Sequence, residues 1–192
     1  NLPGAGGASF NCAGIKFMHN PSNIVVRNNE IYDIPANVGM HLKYGGEGQN
    51  NLIEGNTFHD CGRPVYGSNS NWTFTRNLVY DSGLIWQEGS NVAIFENTFD
   101  ESGVFFRGGS NIDVFGNIFS NSAYPISIDS GVTGGGTGGG YPNYDLSPLS
   151  LHDNCFWTAS GKIYVYSKYQ PPIYYTLPQA QGTFNQEQNS LF

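Results

Sequence analysis

Apolar and polar residues alternate in short stretches that repeat every 20 residues through the middle of the chain. The repeats are SNWTFTRNLVYDSGLIWQEG, SNVAIFENTFDESGVFFRGG and SNIDVFGNIFSNSA, which together span residues 70–123. A period-2 alternation is typical of β-strands, whose side chains point to opposite faces in turn. Twenty residues are enough for two or three short strands and tight turns, but not for a pair of helices. The pattern predicts a solenoid of stacked β coils.

Stacking is expected because a single coil cannot bury its own apolar row. In a stack, Asn77, Asn97 and Asn117 lie above one another at the strand spacing of about 4.8 Å. An asparagine in that position can bond the side-chain amide of its neighbour and the backbone of the turn. The sequence therefore predicts an asparagine ladder along one corner of the solenoid, with Asn154 in the ladder position of a later coil.

The repeat G-I-x-[LFW]…S-N-[VI]-x-[IV]-x-x-N-x-[FI]-x-[DEN]-[SN] resembles the coil of right-handed parallel β-helix proteins with the pectate-lyase-like fold. The resemblance covers roughly residues 12–157 and implies an all-β, single-stranded right-handed parallel β-helix of about six to seven coils. This scaffold hosts lyases, glycosidases, epimerases, phage tailspikes and non-catalytic binders, so the resemblance is specific for fold and weak for function.

The chain is expected to form a single domain with two parts, and to be a fragment of a longer protein. Residues 1–157 form the β-helix coils, interrupted by a Gly-rich insert at residues 130–150 that is either a flexible excursion or a lid. Residues 158–192 are rich in tyrosine, as in Tyr164, Tyr166 and Tyr174, and resemble the closing segment of bacterial secreted β-helix carbohydrate-active proteins. We expect an aromatic-rich C-terminal cap there, because an open last coil would expose unpaired backbone groups.

Composition restricts the partners. The 192 residues carry a formal net charge of −7, which is wrong for binding the phosphates of nucleic acid. No apolar run approaches the length of about 18 residues that a membrane span needs. The three cysteines, Cys12, Cys61 and Cys155, are too few for a disulfide scaffold and are expected to be buried free thiols. We expect a secreted, extracellular protein.

A candidate site lies on one sheet face, if Ile15, Met40, Leu84, Val104 and Trp86 point inward. Val65 and Ile85 then belong to an outward row, and the polar residues of this face form a patch of His41, Lys43, Tyr44, Gln87, Glu88 and Arg107. Lysine or arginine can bind the carboxylate of an acidic sugar, and a neutral lysine or histidine can abstract a proton in β-elimination. The predicted catalytic residues are Lys43, Arg107, Glu88 and His41, and the predicted substrate-binding residues are Gln87 and Tyr44. The alternative is a solvated face without chemistry.

The second candidate is a column of turn carboxylates, namely Asp33, Asp60, Asp81 and Glu101. Carboxylates one or two coils apart are separated by about 4.8 or 9.6 Å, close to the separations of retaining and inverting glycosidases. Asp81 and Glu101 are thus alternative catalytic residues. Asp60, Asp81 and Glu101 could also bind Ca²⁺, the one cofactor that the sequence suggests. The third interpretation is ordinary turn capping, because Asp bonds the backbone two residues on.

Two functions remain open, and a tailspike-like trimeric fibre is a third, less favoured because the sequence shows no trimer-forming segment. The first is a polysaccharide lyase or glycoside hydrolase acting along one face of the solenoid, with a polysaccharide as its partner. The second is a non-catalytic glycan-binding or structural module within a larger secreted protein, in which further domains of the same chain are partners. The motifs of polygalacturonases and pectate lyases, G-x-S-x-G and H-E-x-x-H are absent from the sequence.

Overall fold

The computed structural model describes residues 13–43, 48–68, 70–106, 109–128, 149–158, 161–162, 164–166, 173–184 and 187–191. In chain order the elements are β1 (Ala13–Met18), β2 (Val25–Arg27), β3 (Glu30–Lys43), β4 (Asn51–Glu54), β5 (Thr57–Gly67), β6 (Trp72–Thr75), β7 (Leu78–Tyr80), β8 (Ile85–Gln87), β9 (Val92–Phe95), β10 (Thr98–Asp100), β11 (Val104–Phe106), β12 (Ile112–Phe115), β13 (Ile118–Ser120), β14 (Ile126–Ile128), β15 (Leu149–His152), β16 (Cys155–Trp157), β17 (Tyr164–Tyr166), β18 (Ile173–Tyr175) and α1 (Leu177–Phe184). No described helix is long and apolar enough to cross a membrane.

The strands stack in parallel into three faces, which confirms the predicted parallel β-helix. The first face contains β2, β4, β6, β9, β12 and β15. The second contains the first halves of β3 and β5, followed by β7, β10, β13 and β16. The third contains β1, the second halves of β3 and β5, and then β8, β11, β14 and β17. Each turn of the solenoid, called a rung below, supplies one strand to each face.

The core is a set of apolar columns that run along the solenoid axis. On the second face the buried column consists of Ile31, Phe58, Val79, Phe99, Phe119 and Phe156. The rings of Phe99 and Phe119 stack with their centroids 4.9 Å apart, which is the rung spacing. Each side chain thus packs on its equivalent in the next rung, so burial depends on stacking as the sequence pattern requires.

The asparagine ladder lies at the corner between the first and second faces, as predicted. The Oδ1 atom of Asn97 accepts from the backbone N of Asn77 at 2.9 Å and from its Nδ2 at 3.1 Å. Asn117 does the same for Asn97. The ladder begins at Asn29 and ends at Asn154, and its members from Asn56 onward are buried. Asn154 occupies the ladder position that the sequence predicts for the strand after the insert, although β15 begins at Leu149. The insert itself falls largely outside the described residues.

The last rung is closed by the C-terminal segment. Glu187, which is fully buried, takes the place of the next ladder residue, and its carboxylate accepts from Asn154 Nδ2 at 3.0 Å and from Ser190 Oγ at 2.6 Å. Leu177 and Ala180 of α1 join the apolar core. The tyrosine-rich strands β17 and β18 instead pair antiparallel at the end of the sheet that forms the second and third faces. The described end cap is therefore a short helix and a partial rung.

Candidate functional site

The third face carries a column of outward-pointing positions with chemically active side chains. His41 alternates with the buried residues Met40 and Leu42, and pairs in register with Tyr66. The column in rung order is Lys16, His41, Tyr66, Trp86, Phe105 and Ser127. Although outward, His41 is only 1% exposed and Phe105 only 8%. This column is therefore shielded from water at several rungs, and differs from an ordinary solvated sheet face.

Three titratable side chains on this face are connected to one another. The Tyr66 hydroxyl donates to Glu88 Oε2 at 2.9 Å. The imidazole of His41 stacks on the Tyr66 ring with centroids 4.7 Å apart and planes inclined by 24°. Glu88 follows β8 directly, and its backbone N donates to Gly67 O at 2.8 Å, which fixes its position at the strand end. The structure thus brings the predicted residues His41 and Glu88 together through a tyrosine that the sequence analysis did not select.

Tyr66 was missed because the predicted register on this face was wrong by one residue in two rungs. Val65 and Ile85, which we expected to point outward, are fully buried in the core. The 20-residue repeat aligns Gly83 with Gly103, but Ile85 pairs with Val104. One additional residue in the corner before β8 accounts for this difference, and a shorter corner after β8 restores the period. A shift of one residue exchanges the two sides of a strand, so Tyr66 takes the outward position.

The same shift contradicts the prediction that Gln87 binds substrate. Gln87 is fully buried in the core and pairs with Phe106, and its Nε2 donates to Gly89 O. Gly67, in the preceding rung, makes room for it, because a Cβ there would lie 2.9 Å from Gln87 Oε1 and 2.6 Å from Trp72 Cζ2. The expected inward positions of Leu84 and Trp86 are also wrong in register, since Ile85 and Gln87 fill them.

The basic part of the predicted patch is described only in part. The backbone of Lys43 ends β3 and pairs with Met18, whereas Tyr44 and Arg107 lie outside the described residues. Lys16 is a described basic residue in the column, two rungs from Tyr66 and thus about 9.6 Å away at the strand spacing. The proposed roles of Lys43, Tyr44 and Arg107 stay predictions.

The carboxylate column forms the turn between the second and third faces. Asp33, Asp60, Asp81 and Glu101 all adopt positive φ angles, of 58°, 52°, 45° and 52°. Asp81 and Glu101 are exposed at this corner, and the backbone O of Asp81 accepts from the Asp60 N at 3.2 Å. Left-handed backbone is a turn conformation in which Asp is enriched, so the geometry favours the turn-capping interpretation. Catalysis or Ca²⁺ binding by Asp60, Asp81 and Glu101 stays a prediction, and in the described part of the chain these three carboxylates do not come together as a group that could hold a metal ion.

Two further histidines are held by carboxylates. His59, on the second face, has Nδ1 2.8 Å from Asp60 Oδ2 and Nε2 3.3 Å from Glu30 Oε1. The hydrogen bond with Asp60 raises the pKa of His59, and the bond with Glu30 adds to this effect against the opposing influence of burial. His152, on the first face, is placed in the same way, and its hydrogen bond with Asp153 is the main cause of a raised pKa. In both rings the neighbouring carboxylates stabilise the imidazolium form relative to a free imidazole.

Aromatic rings line the outward columns of the first and second faces. Tyr32, His59 and Tyr80 stack on the second face at centroid distances of 5.0 and 4.8 Å. Trp157, three rungs beyond Tyr80 in the same column, is 73% exposed. On the first face Phe115 stacks between Phe95 and His152.

The first face also has a shallow depression of about 320 Å³. Its lining includes four asparagines of the preceding turn, namely Asn50, Asn71, Asn91 and Asn111. Several of these amides already bond one another, as Asn111 Nδ2 does to Asn91 Oδ1 at 2.8 Å. The depression is therefore mostly occupied by a second, exposed ladder.

The cysteines differ from expectation. Cys61 is buried, and burial raises the pKa of its thiol to about 11. Cys155 is exposed, contrary to the prediction, because it occupies an outward position of β16 in register with Ile118. Cys12 lies outside the described residues.

The side chains in the described part of the chain do not form a suitable set of ligands for a transition metal. A soft metal such as copper prefers thiolate, thioether and neutral imidazole ligands. The Cys61 thiol and Met40 are buried in the apolar core, and the rings of His59 and His152 bond carboxylates through both nitrogens. Among the described residues, His, Cys, Asp and Glu side chains form no group of three or more that could hold a metal ion. These residues do not fit copper.

Comparison with known proteins relates the chain to a protein family. The model of the family described as periplasmic copper-binding protein (NosD) matches residues 7–137. No curated protein and no solved structure matches the chain. The match covers most of the coils, and a family of β-helix proteins located in the periplasm agrees with the predicted fold and with a location outside the cytoplasm.

Proposed function

Because the chain belongs to the NosD family of periplasmic proteins, we propose that it acts outside the cytoplasm on a polysaccharide bound along the third face of its β-helix. The reaction that we propose is β-elimination on a sugar polymer that carries carboxylates. One observation supports this most strongly, namely the connection of His41, Tyr66 and Glu88 across three successive rungs. A connected acid–base group on a shielded surface is the arrangement that proton transfer requires.

Tyr66 has the central role in this proposal. Glu88 accepts the hydroxyl proton of Tyr66, and the phenolate then takes the proton from the carbon next to the sugar carboxylate. The bond from the neighbouring carbon to the leaving oxygen breaks, and a carbon–carbon double bond forms. Tyr66 passes the proton to the leaving oxygen, and Glu88 returns its own proton to Tyr66. His41 stacks on the ring and holds it in position, so it is a positioning residue.

The sugar carboxylate must be neutralised for this chemistry, since proton loss develops negative charge beside it. Lys43 and Arg107, which we predicted for this role from the sequence, are two candidates, and the backbone of Lys43 ends β3 on this face. Lys16 is a third candidate, because it lies in the column of His41 and Tyr66. These local cations offset the net charge of −7, which otherwise repels a polyanion.

A lyase fits the third face better than a glycoside hydrolase does. Most glycoside hydrolases use two carboxylic groups that flank the bond to be broken. Among the described residues of the third face, Glu88 is the carboxylate at an outward position. Asp81 and Glu101 lie instead at the corner, in left-handed turn conformation. Hydrolysis by that pair is the competing outcome of the test below.

The test is turnover on a panel of pectin, alginate, xylan and glycosaminoglycans. Unsaturated product ends are followed by absorbance, and all new chain ends by a reducing-sugar assay. We expect unsaturated ends from at least one acidic polymer, and a loss of about 10²–10⁴-fold in Tyr66→Phe, the range that general acid–base groups contribute. Tyr80→Phe is the matched control, since Tyr80 is a stacked tyrosine on the second face. Its activity should equal that of the wild type.

Two results would contradict the proposal. The first is reducing ends without unsaturation that disappear in Asp81→Asn or Glu101→Gln, which would indicate a hydrolase at the turn column. The second is an unchanged rate in Tyr66→Phe.

The non-catalytic module is the second candidate function. The exposed aromatic side chains of the second face favour it, because Tyr32 and Trp157 contribute little to the core yet present large apolar surfaces to solvent. Binding of a glycan by every variant, with no product from any polymer in the panel, would support this function.

Copper binding, for which the family is named, is not part of the proposal. The described histidines and cysteines do not fit a copper site, because they belong to no group of three or more side chains that could hold a metal ion. We derive no step through a metal.

A further inference from the structure

The second face has a slot between two aromatic side chains. Tyr80, Asp100, Ser120 and Trp157 occupy equivalent outward positions in four successive rungs. The outer rungs are therefore about 14 Å apart, and the two inner ones carry short polar side chains. One face of the Tyr80 ring is covered by His59, and the other points along the axis toward Asp100. We name this set the second-face slot.

The edge and floor of the slot are defined by described contacts. Asn121 Nδ2 donates to Asp100 Oδ1 at 2.7 Å and to Ser120 Oγ at 3.1 Å, which holds the two floor residues in place. The neighbouring outward column adds exposed apolar side chains, Leu78 and Ile118, at 39% and 47% exposure. Flat apolar surface beside hydrogen-bonding groups matches a pyranose ring, which has an apolar face and a polar rim.

The charge around the slot selects the kind of sugar. Asp100 forms its floor, and the turn positions after Tyr80 and Asp100 carry Asp81 and Glu101, while Asp60 and Glu30 lie one and two rungs below Tyr80. On this face His59 is the cationic partner among described residues, and two of these carboxylates already bond it. A polyanion is repelled here, whereas a protonated amine gains a charge-assisted hydrogen bond with Asp100 and a contact with an aromatic ring.

We propose that the second-face slot binds a glycan with free amino groups, that is, a polymer of hexosamines that are not fully acetylated. This site is separate from the third face, and its ligand differs in charge from the acidic polymer of the proposed reaction. The slot would hold the protein on one envelope or matrix polymer while the third face works on another. It does not depend on the proposed catalysis.

The experiment measures binding of four probes by calorimetry at low salt and mildly acidic pH. The probes are chitosan oligosaccharides, N-acetylchitooligosaccharides and oligogalacturonides of equal length, together with a lysine oligopeptide. We expect chitosan oligosaccharides to bind at least tenfold more tightly than the other three. Trp157→Ala should weaken this binding about tenfold or more, as loss of a central aromatic contact does. Asp100→Asn should weaken it severalfold and reduce its dependence on salt.

Matched variants separate this site from general effects. Tyr124→Ala removes another exposed aromatic side chain, and Asp113→Asn removes a carboxylate from the outward column of the first face. Both should bind as the wild type does, and so should Tyr66→Phe on the third face. Trp157 is exposed, so its replacement should leave the unfolding midpoint unchanged.

The exposed thiol of Cys155 gives a second readout. It lies two residues from Trp157 on the same strand and points to the same side, about 7 Å away. In a Cys12→Ser background, bound chitosan oligosaccharide should slow the labelling of Cys155 by a maleimide severalfold.

Three results would overturn the proposal. The first is that acetylated or acidic oligosaccharides bind as tightly as chitosan oligosaccharides. The second is that the lysine peptide binds equally and that Trp157→Ala leaves its binding unchanged. The third is that Asp113→Asn weakens binding as much as Asp100→Asn.

Discussion

Replacing Asn97 by alanine removes the middle member of the buried asparagine ladder. The side chain of Asn97 takes part in five hydrogen bonds. Its Oδ1 accepts from the backbone N and the Nδ2 of Asn77 at 2.9 and 3.1 Å, and its Nδ2 donates to Phe74 O, Phe95 O and Asn117 Oδ1 at 2.9, 3.0 and 2.9 Å. Asn97 is 1% exposed, so water cannot replace these partners without rearrangement of the corner.

The expected cost follows from the groups that are left unpaired. The backbone N–H of Asn77 loses its acceptor, and an unsatisfied buried donor costs about 1–3 kcal/mol. The lost amide bonds contribute a further 0.5–1.5 kcal/mol each at most, with strong non-additivity because they share one side chain. We therefore expect Asn97→Ala to lower the free energy of unfolding by about 3–5 kcal/mol, which is typical of substitutions that break a buried hydrogen-bond network.

The assay is urea unfolding followed by far-UV circular dichroism and tryptophan fluorescence. Asn91→Gly is the matched control, because Asn91 lies in the same rung, is exposed, and has φ 55°, which glycine adopts freely. Its change should stay within about 0.5 kcal/mol. The reasoning that the buried ladder stabilises the corner would be refuted if Asn97→Ala lowered the free energy of unfolding by less than about 1 kcal/mol, or if both variants lowered it equally.

Three other consequences can be measured. Because the pKa of His59 is raised in the folded state, its contribution to stability is fully present below the ordinary value of 6.5 and is lost as pH rises through the folded value. In His59→Gln the unfolding midpoint should depend less on pH in this range, while the similar contribution of His152 should remain. A pH profile equal to that of the wild type would contradict the pairing of His59 with Asp60 and Glu30. Ellman's reagent should react with Cys155 at once, and with Cys61, whose pKa is about 11, only on unfolding; rapid labelling of Cys61 would show that the core is open. Glu187→Ala should destabilise the last rung by about 1–3 kcal/mol, since Asn154 Nδ2 and Ser190 Oγ lose the carboxylate oxygen that accepts from both, and wild-type stability in this variant would disprove its capping role.

The architecture could be predicted from the sequence because it depends on a repeating pattern. The recurrence of Asn77, Asn97 and Asn117 specifies both the rung length and a column of equal side chains. The corner between the first and second faces has constant length from rung to rung, so the pattern there translates directly into register. Even Asn154, beyond the insert, falls in its predicted place.

The third face was harder to predict, because its flanking corners vary in length. Ile85 follows Asp81 by four residues, whereas Val104 follows Glu101 by three. The period of 20 conceals this difference in corner length, because the corner after β8 is one residue shorter than the corner after β11. Burial of Gln87 also contradicts a simple apolar–polar rule. Gly67 was a sequence signal for this burial, because a glycine leaves space for the Gln87 side chain in the next rung. The signal can be interpreted only when the position of Trp72, which also contacts Gly67, is known.

The end of the ladder illustrates a different limit of sequence analysis. Glu187 lies in a segment without the repeat, and nothing in the pattern marks it as the successor of Asn154. Its Oε2 atom accepts from both the last amide, Asn154 Nδ2, and the Ser190 hydroxyl. Only the geometry of the final rung shows why a carboxylate belongs there.

The central claim is that the third face is the working surface and that Tyr66, held by Glu88, is its reacting group. A crystal structure of Tyr66→Phe with an acidic oligosaccharide that the wild type cleaves tests this most directly. The account predicts an intact oligosaccharide that crosses rungs along the column of His41, with the broken bond of the wild-type reaction placed next to residue 66. An oligosaccharide on the first or second face, or one centred on Asp81 and Glu101, would contradict it.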